Sequence, residues 1–421
     1  MGNPLIAERA TPRIRLYASS NAWIEGAAVV QLEHLAGRPD VLAVAGMPDL
    51  HPGHHGPVGC AALVAGRVYP DVIGTDIGCG MQFWALDLPE RKLRLDRAVE
   101  RLAGLAGAWD GDAAALLADH AVAAGEHAAA LGTVGGGNHF CEVQAVEAIL
   151  DAAAAGRAGL GAGALGLLVH SGSRGLGAAT LARHYRDGTE GLPLDGAGAA
   201  YLADHDNALR FARLNRQVIA GRALQALRCG GDMMIDSPHN LAERRGDAVL
   251  HRKGAAPSDR GLVPIPGSRG AMTYLVEPLL GVPEALASLA HGAGRKHDRA
   301  SMEKRVRSSK RLDATFRSEK IENRFGASDL ARLERNPFGG HVICSDRRLL
   351  VEEAPEAYKD VARVVAEMEE AGLCRVVAIL RPVVTFKTAR QARPGSGESR
   401  GGRHREVRGG RAGRTFGEGG R

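Results

Sequence analysis

Gly74-Thr-Asp-Ile-Gly-Cys-Gly80 runs directly into Met81-Gln-Phe-Trp-Ala-Leu86. The apolar run reads as a strand, and the glycine-punctuated stretch before it reads as a tight, backbone-permissive loop. Asp76 and Cys79 are three residues apart, so one turn can aim both side chains at a common point. Four other stretches share this design, setting a ligand-type side chain beside glycines or at a strand end. They are Gly135-Gly-Gly-Asn-His139, Val169-His-Ser-Gly-Ser-Arg-Gly175, Ser237-Pro-His-Asn240 and His291-Gly-Ala-Gly-Arg295. Glycine lets the main chain approach a metal or phosphate closely, and its N–H groups can cradle an anion. Taken singly, each histidine is satisfied by a structural hydrogen bond and Cys79 by burial as a small apolar residue. Together, thiolate, carboxylate and imidazole suit a borderline transition metal, zinc-like by softness or manganese by the carboxylate, and a thiolate can bridge two ions.

Around these loops the chain alternates short elements. Spacing predicts a helix over 23–35, strands over 41–45, 61–65 and 81–86, and helices over 92–106, 112–131 and 143–155. A buried strand over 165–169 ends at a histidine, followed by helices over 176–186 and 203–229. The stretch 232–276 is turn-rich and strand-like; helices are expected over 283–290, 298–315 and 357–372, then a last strand over 376–386. Periodicity alone gives a mixture of helix and strand.

Hydrophobic residues make up 45% of the 421 and charged ones 24%, which permits a sizeable core and excludes wholesale disorder. No apolar run is long enough to span a bilayer, and Met1–Pro12 lacks a basic-then-apolar leader pattern. With six cysteines in no paired spacing, a cytoplasmic protein with reduced thiols is expected. The net charge of +6 is local: residues 391–421 hold eight Arg against three Glu, leaving 46 basic and 45 acidic groups in the rest. Any polyanion-binding surface of the body is therefore a patch, not a global field. The Gly/Arg-rich basic tail 390–421 cannot bury enough surface to fold and resembles segments that hold RNA nonspecifically.

Read in order, the motifs Met47-Pro-Asp-Leu-His-Pro-Gly53, Asp76-Ile-Gly-Cys-Gly80, Gly132-Thr-Val-Gly-Gly-Gly-Asn-His139, His170-Ser-Gly-Ser-Arg-Gly-Leu-Gly177, Pro238-His-Asn240, His251-Arg-Lys-Gly254, Ile265-Pro-Gly-Ser268, His291-Gly-Ala-Gly-Arg295 and Glu353-Ala-Pro-Glu-Ala-Tyr-Lys359 carry a resemblance. The sequence resembles the RtcB family of GTP-dependent RNA ligases from about Met47 to Lys387. The resemblance implies a single large α+β domain over 41–389, with mixed sheets around a central metal- and nucleotide-binding cleft and helices outside. Residues 1–40 would be a lead-in of the same fold.

The resemblance further implies two manganese ions held by Asp76, Cys79, His139, His170 and His239, with His291 as the guanylylated nucleophile. Asn138, Glu142, Ser268, Thr273, Arg295 and Lys387 fall on positions used around the nucleotide, GTP. Arg174 and Lys253 fall on phosphate-binding positions, and Asp49 lies near the reaction centre without an assigned role. The implied substrates are RNA ends carrying a 3′-phosphate or 2′,3′-cyclic phosphate and a 5′-hydroxyl, joined through a histidine–GMP adduct in RNA repair or tRNA splicing. His54, His55 and the charge run Arg299–Arg311 read as solvated surface, and Cys60, Cys141, Cys229, Cys344 and Cys374 as packing residues.

One departure stands beside the cysteine, where Gly78 replaces the asparagine of many family members. With Asn21-Ala-Trp-Ile-Glu-Gly26, the pattern looks like the branch linked to a release-factor-like protein and to RNA repair. A monomer that meets no membrane is expected, with a release-factor-like protein or an activating protein as its protein partner. Two rival readings remain: a two-metal phosphoesterase opening RNA phosphates, which has no need of His291, and a noncatalytic RNA-binding factor, which has no need of Cys79.

Overall fold

The computed structural model describes residues 13–186, 188, 190–302 and 333–388. Contacts gather Met1–Arg390 into one compact unit, and the described residues all lie within it. Of the helix expected over 298–315 the described residues hold only the start, helical over 299–302; most of the run Arg299–Arg311 and the tail 390–421 fall outside them.

Two sheets carry the fold, and the mixture of helices with mainly antiparallel, partly parallel sheets is an α+β architecture. An eight-stranded sheet runs in the order Val263–Pro266, Thr273–Pro278, Cys374–Thr388, Phe140–Ile149, Leu165–Ser171, Gly80–Leu86 and Gly231–Pro238. His341–Cys344 pairs in parallel with Cys374–Thr388 off this path. A five-stranded sheet runs Arg13–Leu16, Val41–His51, Val58–Ala65, Ala248–Lys253 and Asn240–Arg245. Arg13–Leu16 pairs in parallel with Val41–His51, so the lead-in residues contribute an edge strand.

Aliphatic side chains fill the interior, as a 4% aromatic content requires. The long helix Ala197–Leu227 buries Ile219, Ala220 and Ala223 against Val143, Leu167 and Val169 of the large sheet. On another face it packs Phe211 and Leu214 against Ile77 and Leu131. Four helices begin at an aspartate whose side chain accepts a main-chain N–H: Asp112, Asp151, Asp346 and Asp360. No helix among the described residues is long and apolar enough to cross a membrane.

Three expectations from periodicity are corrected. Residues 112–131 are not one helix but a helix Ala113–Asp119 and a 3₁₀ turn Gly125–Ala130, parted where Ala121 takes positive φ (51°). Residues 143–155 are not one helix: Phe140–Ile149 is a strand, and the helix is only Ala152–Arg157, started by the Asp151 cap. The Ala/Glu-rich segment reads as helical, yet it lies between two partner strands, and pairing on both edges overrides local preference. Residues 283–290 form a 3₁₀ turn Pro283–Ala285 and a strand Ser288–Ala290, because Leu286 and Ala287 take positive φ (51° and 46°) and break helical continuity. That strand pairs with Ala255–Pro257 and leads straight into His291.

Candidate metal and nucleotide site

Strand register brings the glycine-flanked loops together. Gly80 pairs with Ser171 on one side and Pro238 on the other, while Phe140 pairs with His170. Cys79, His170, His239 and His139 therefore emerge at one end of four adjacent strands. Neighbouring strands are separated by roughly 4.8 Å, so side chains at such an end must meet.

They meet as two groups that share Cys79: Asp76, Cys79 and His139 in one, and Cys79, His170 and His239 in the other. Cys79 Sγ lies 3.3 Å from His139 Nε2 and 3.2 Å from His170 Nε2, and His139 Nε2 is 2.9 Å from Asp76 Oδ2. His170 Nε2 and His239 Nε2 are 3.3 Å apart. Burial drives both of these imidazoles well below the ordinary range, with His139 adding to the effect on His170 and His291 to that on His239. Two neutral imidazoles then face each other with few protons to share, a packing of lone pairs that a cation resolves. Burial, followed by Asp76, raises the Cys79 thiol well above its usual value, so in the bare protein the sulfur keeps its proton. A coordinated cation reverses that preference. Burial works against the Asp76 charge as well, yet His139 beside it holds the carboxylate far below its ordinary value. Nitrogen, sulfur and one carboxylate fit borderline divalent ions, and the shared sulfur fits a pair of them.

His291 joins this cluster from the end of the strand Ser288–Ala290, its ring centroid 4.7 Å from that of His239. Asp49 lies behind it, wholly buried at 0% exposure. Asp49 Oδ2 accepts the His291 backbone N–H at 3.2 Å and the ring Nδ1–H at 2.7 Å. That bond assigns the ring proton to Nδ1 and leaves the lone pair on Nε2. The end of the Asp49 strand is fixed in turn by Lys359, whose Nζ donates to the carbonyls of Pro48 (3.1 Å) and Leu50 (2.7 Å).

A cleft of about 330 Å³ opens beside these groups. Its walls include Asp76, Cys79, His170, His239 and His291 together with Asn138, Glu142, Lys253, Ser268, Arg295 and Lys387. Glu142 is buried, which pushes its carboxyl up to about 7 against hydrogen bonds from Thr385 Oγ1 (2.5 Å) and Gln144 Nε2 (2.8 Å). Burial brings the Lys387 ammonium down to about 8, with Glu353 opposing. Lys253 is part of the cleft wall and donates to the Ile73 carbonyl.

Four expected site residues do not line the cleft: Asp49 and His139, each bonded to a residue that does, and Thr273 and Arg174. Thr273 is buried behind the wall, its hydroxyl accepting from Gln144 Nε2 at 2.7 Å, so it braces the Glu142 network. Arg174 lies against the Gly135 loop, where a Cβ on Gly135 (φ +97°) would overlap the guanidinium, and its Nε donates to Thr133 Oγ1 at 3.3 Å. Of the two loop histidines, His54 is exposed yet lines the cleft, while His55 lines a neighbouring cavity. Cys60, Cys141, Cys344 and Cys374 are buried and Cys229 partly so.

Three further residues, Glu353 in the cleft wall and Asn215 and Arg216 behind the ligand loops, gave no ligand-type signal in the sequence. Glu353 is a buried hub: its carboxylate accepts from Arg295 Nη1 and Arg299 Nε, both at 3.1 Å, and from the Tyr358 hydroxyl. Asn215 and Arg216 sit side by side in the long helix, at 0% and 1% exposure. Asn215 Nδ2 donates to the carbonyls of Thr133 and Gly172 and to Ser171 Oγ, and its Oδ1 accepts from Gly132 N–H. Arg216 donates to the Gly78 and Ser171 carbonyls at 2.7 and 3.0 Å and is neutralised by Asp236. One helical dipeptide thus grips three of the loops that bear ligand-type side chains. A polar pair in the middle of an otherwise apolar buried face was the sequence signal.

Residues 31–108 and 105–388 match a family described as RtcB, tRNA-splicing ligase RtcB. The RNA-splicing ligase RtcB2 of Escherichia coli is 43% identical over 379 residues, covering 88% of this chain and 95% of that protein. The RNA-splicing ligase RtcB of Mycobacterium tuberculosis is 30% identical over 454 residues, covering 85% of this chain and all of that protein. The tRNA-splicing ligase RtcB of Aeropyrum pernix is 28% identical over 441 residues, covering 81% of this chain and 87% of that protein.

Proposed function

This chain belongs to the RtcB family of ligases, and from that membership we propose that it seals RNA with GTP through a covalent histidine–GMP adduct. The observation that carries the reading is the position of His291. Its ring packs on His239 of the metal-type cluster, and its Nδ1–H is committed to a buried carboxylate. Neither a phosphoesterase nor a binding factor needs an imidazole so oriented.

In this reading Nε2 of His291 attacks the α-phosphorus of GTP. A P–N bond forms, the bond to the bridging oxygen breaks, and pyrophosphate leaves. The imidazole becomes more acidic as it is phosphorylated, and Asp49 Oδ2 stabilises the Nδ1 proton throughout. An oxygen of the RNA 3′-phosphate then attacks the same phosphorus, and the P–N electrons return to Nε2. The 5′-hydroxyl of the second RNA end attacks the 3′-phosphorus and expels GMP, closing a phosphodiester. A 2′,3′-cyclic phosphate is first opened by water.

Asp76, Cys79 and His139 would hold one divalent ion, and Cys79, His170 and His239 a second, in our reading manganese. Bound there, the ions supply positive charge for phosphoryl oxygens. Glu142 and Lys387 present an acceptor and a donor in one wall, a pair suited to the N–H and O6 edge of guanine. Asn138 and Ser268 would hold the rest of the nucleotide, Arg295 and Lys253 its phosphates, and Arg174 an RNA phosphate beyond the Gly135 loop. We place the chain in RNA repair alongside a release-factor-like protein, acting as a cytoplasmic monomer, with the tail 390–421 adding nonspecific RNA affinity.

Incubation with manganese and α-labelled GTP tests the reading. An acid-labile, protein-bound GMP that vanishes in His291→Ala is expected. Absence of the adduct in the native protein removes the ligase mechanism, and an adduct surviving in the variant moves the nucleophile elsewhere.

A further inference from the structure

We propose that Trp23 and Lys296 form a stacking platform for an unpaired RNA nucleotide at the edge of the cleft. Trp23 is 54% exposed, in the segment between the edge strand Arg13–Leu16 and the helix Gly26–Ala36. The other two tryptophans, Trp84 and Trp109, pack against hydrophobic clusters. Exposed indole area forgoes burial worth about 25 cal/mol per Å², and a solvent-facing cation–π contact returns only about 0.5–1 kcal/mol. The fold therefore does not need this ring where it is.

Its neighbours say what it suits. Lys296 Nζ lies 5.1 Å from the Trp23 ring centroid. Lys296 directly follows Arg295, which lines the cleft, and its own N–H donates to the Ala357 carbonyl at 2.8 Å, one residue before cleft-lining Tyr358. The platform is thus tied to the cleft wall by main chain on both sides. Arg295 and Arg299, also in the wall, share the single Glu353 carboxylate, so with Lys296 the five residues keep a net positive charge, and the nearby acidic Glu25 acts on Lys359. A flat ring with an ammonium beside it matches a base and its phosphate, because every base offers a face for stacking and every linkage a negative charge. Such a row favours RNA over a protein partner.

The inference rests on the RNA-ligase reading, in which the reacting 3′-phosphate occupies the cleft and the nucleotides upstream must leave across its rim. The platform takes one of them, by stacking on the indole and by pairing its phosphate with Lys296.

Binding of the full-length protein, with manganese, to a short single-stranded RNA bearing a 3′-phosphate provides the test. Trp23→Ala should weaken binding about 5- to 150-fold, the equivalent of losing one base–aromatic stack, and Trp23→Phe should restore most of it. The KM for RNA should rise with little change in kcat, and GMP transfer to His291, which involves no RNA, serves as the control. An abasic site scanned along the RNA should, at one position, cost the native protein as much as Trp23→Ala does and cost that variant nothing. RNA should also quench tryptophan fluorescence in the native protein and not in Trp23→Phe. Unchanged RNA affinity in Trp23→Ala overturns the proposal, as does an equal loss of guanylylation, which marks a structural role for the ring. If the native protein forms no GMP adduct while Trp23-dependent RNA binding persists, the ligase reading falls and the platform stands.

Discussion

The guanidinium of Arg216 donates to the carbonyl of Gly78 at 2.7 Å, one residue before the cysteine that both metal-type groups share. Asp236 pairs with the same guanidinium, so a buried charge on the long helix holds the ligand loops from behind. Groups that orient metal ligands typically change metal affinity 10- to 100-fold when lost.

Arg216→Met should destabilise the apo protein by about 1–3 kcal/mol, because part-buried Asp236 loses its nearer arginine and keeps only Arg213, at 3.5 Å. Arg216→Met combined with Asp236→Leu should recover much of that stability in thermal unfolding. Manganese binding by equilibrium dialysis should nevertheless stay about 10- to 100-fold weaker in the double variant. Native affinity in the folded double variant contradicts a positioning role.

Cys79→Ser should retain the fold and lose the paired site. The replaced thiol is small and buried, and its cost to stability should stay near 1 kcal/mol. Electron paramagnetic resonance of bound manganese should change from an exchange-coupled pair to isolated ions, or to none. A coupled pair surviving the substitution excludes Cys79 as the bridge.

Asp49→Asn preserves shape while removing the charge that fixes the Nδ1 proton of His291. An amide oxygen in place of Oδ2 can still accept both His291 N–H groups, but without the charge it stabilises the ring less as it is phosphorylated. The rate of GMP transfer should fall on the order of 10²–10⁴-fold with unchanged metal content, as loss of an orienting carboxylate does in other imidazole-based sites. Full activity in Asp49→Asn rules out this role.

Nucleotide recognition should follow a bell-shaped pH profile. Glu142 is raised by burial to about 7 and must be ionised to accept from guanine; Lys387 is lowered by burial to about 8 and must be protonated to donate. GTP binding should therefore rise through about pH 7 and fall above about pH 8, and Glu142→Gln should flatten the acid limb. Stability moves the other way: a raised carboxyl pKa gives stability that is present below its ordinary value of 4.5 and is lost as pH rises through about 7. Substrate binding thus improves where Glu142 ceases to stabilise the fold, which a melting series across that range can read.

The departure at Gly78 also has a structural basis. Its φ is +71°, a region open to glycine and, less easily, to asparagine. A Cβ there would lie 2.8 Å from the Ala212 Cβ of the long helix, so in this chain asparagine does not fit without a shift. Gly78→Asn should cost about 1–3 kcal/mol by overpacking, and Ala212→Gly should rescue part of it. An unaffected melting temperature in Gly78→Asn contradicts the close approach.

The ligand loops were legible because glycine beside histidine, cysteine or aspartate is a local pattern. Their convergence was not, since it depends on register: nothing near His170 in the chain says that it pairs with Phe140 and Met81. Phe140–Ile149 was misread as helix because its alanines and glutamates prefer helix until strands pair on both edges. Asp49 could be assigned to the reaction centre but not to a task, because its partner His291 lies 242 residues away. Glu353 opens a matched motif, and Asn215 and Arg216 stand out as a polar pair in a buried helix, yet no task could be read for them, because a buried polar residue shows its purpose only through the distant groups it grips. Thr273 and Arg174 show the converse, falling among site motifs while their side chains brace the wall from behind or beside it.

Diffraction at the manganese absorption edge from crystals grown with manganese and GTP tests the central claim most directly. Two anomalous peaks are expected, one flanked by Asp76 and His139 and one by His170 and His239, both bonded to Cys79 Sγ, with continuous density from His291 Nε2 to a phosphorus. A single peak, a pair not joined by the cysteine, or a nucleotide bound away from His291 would contradict it.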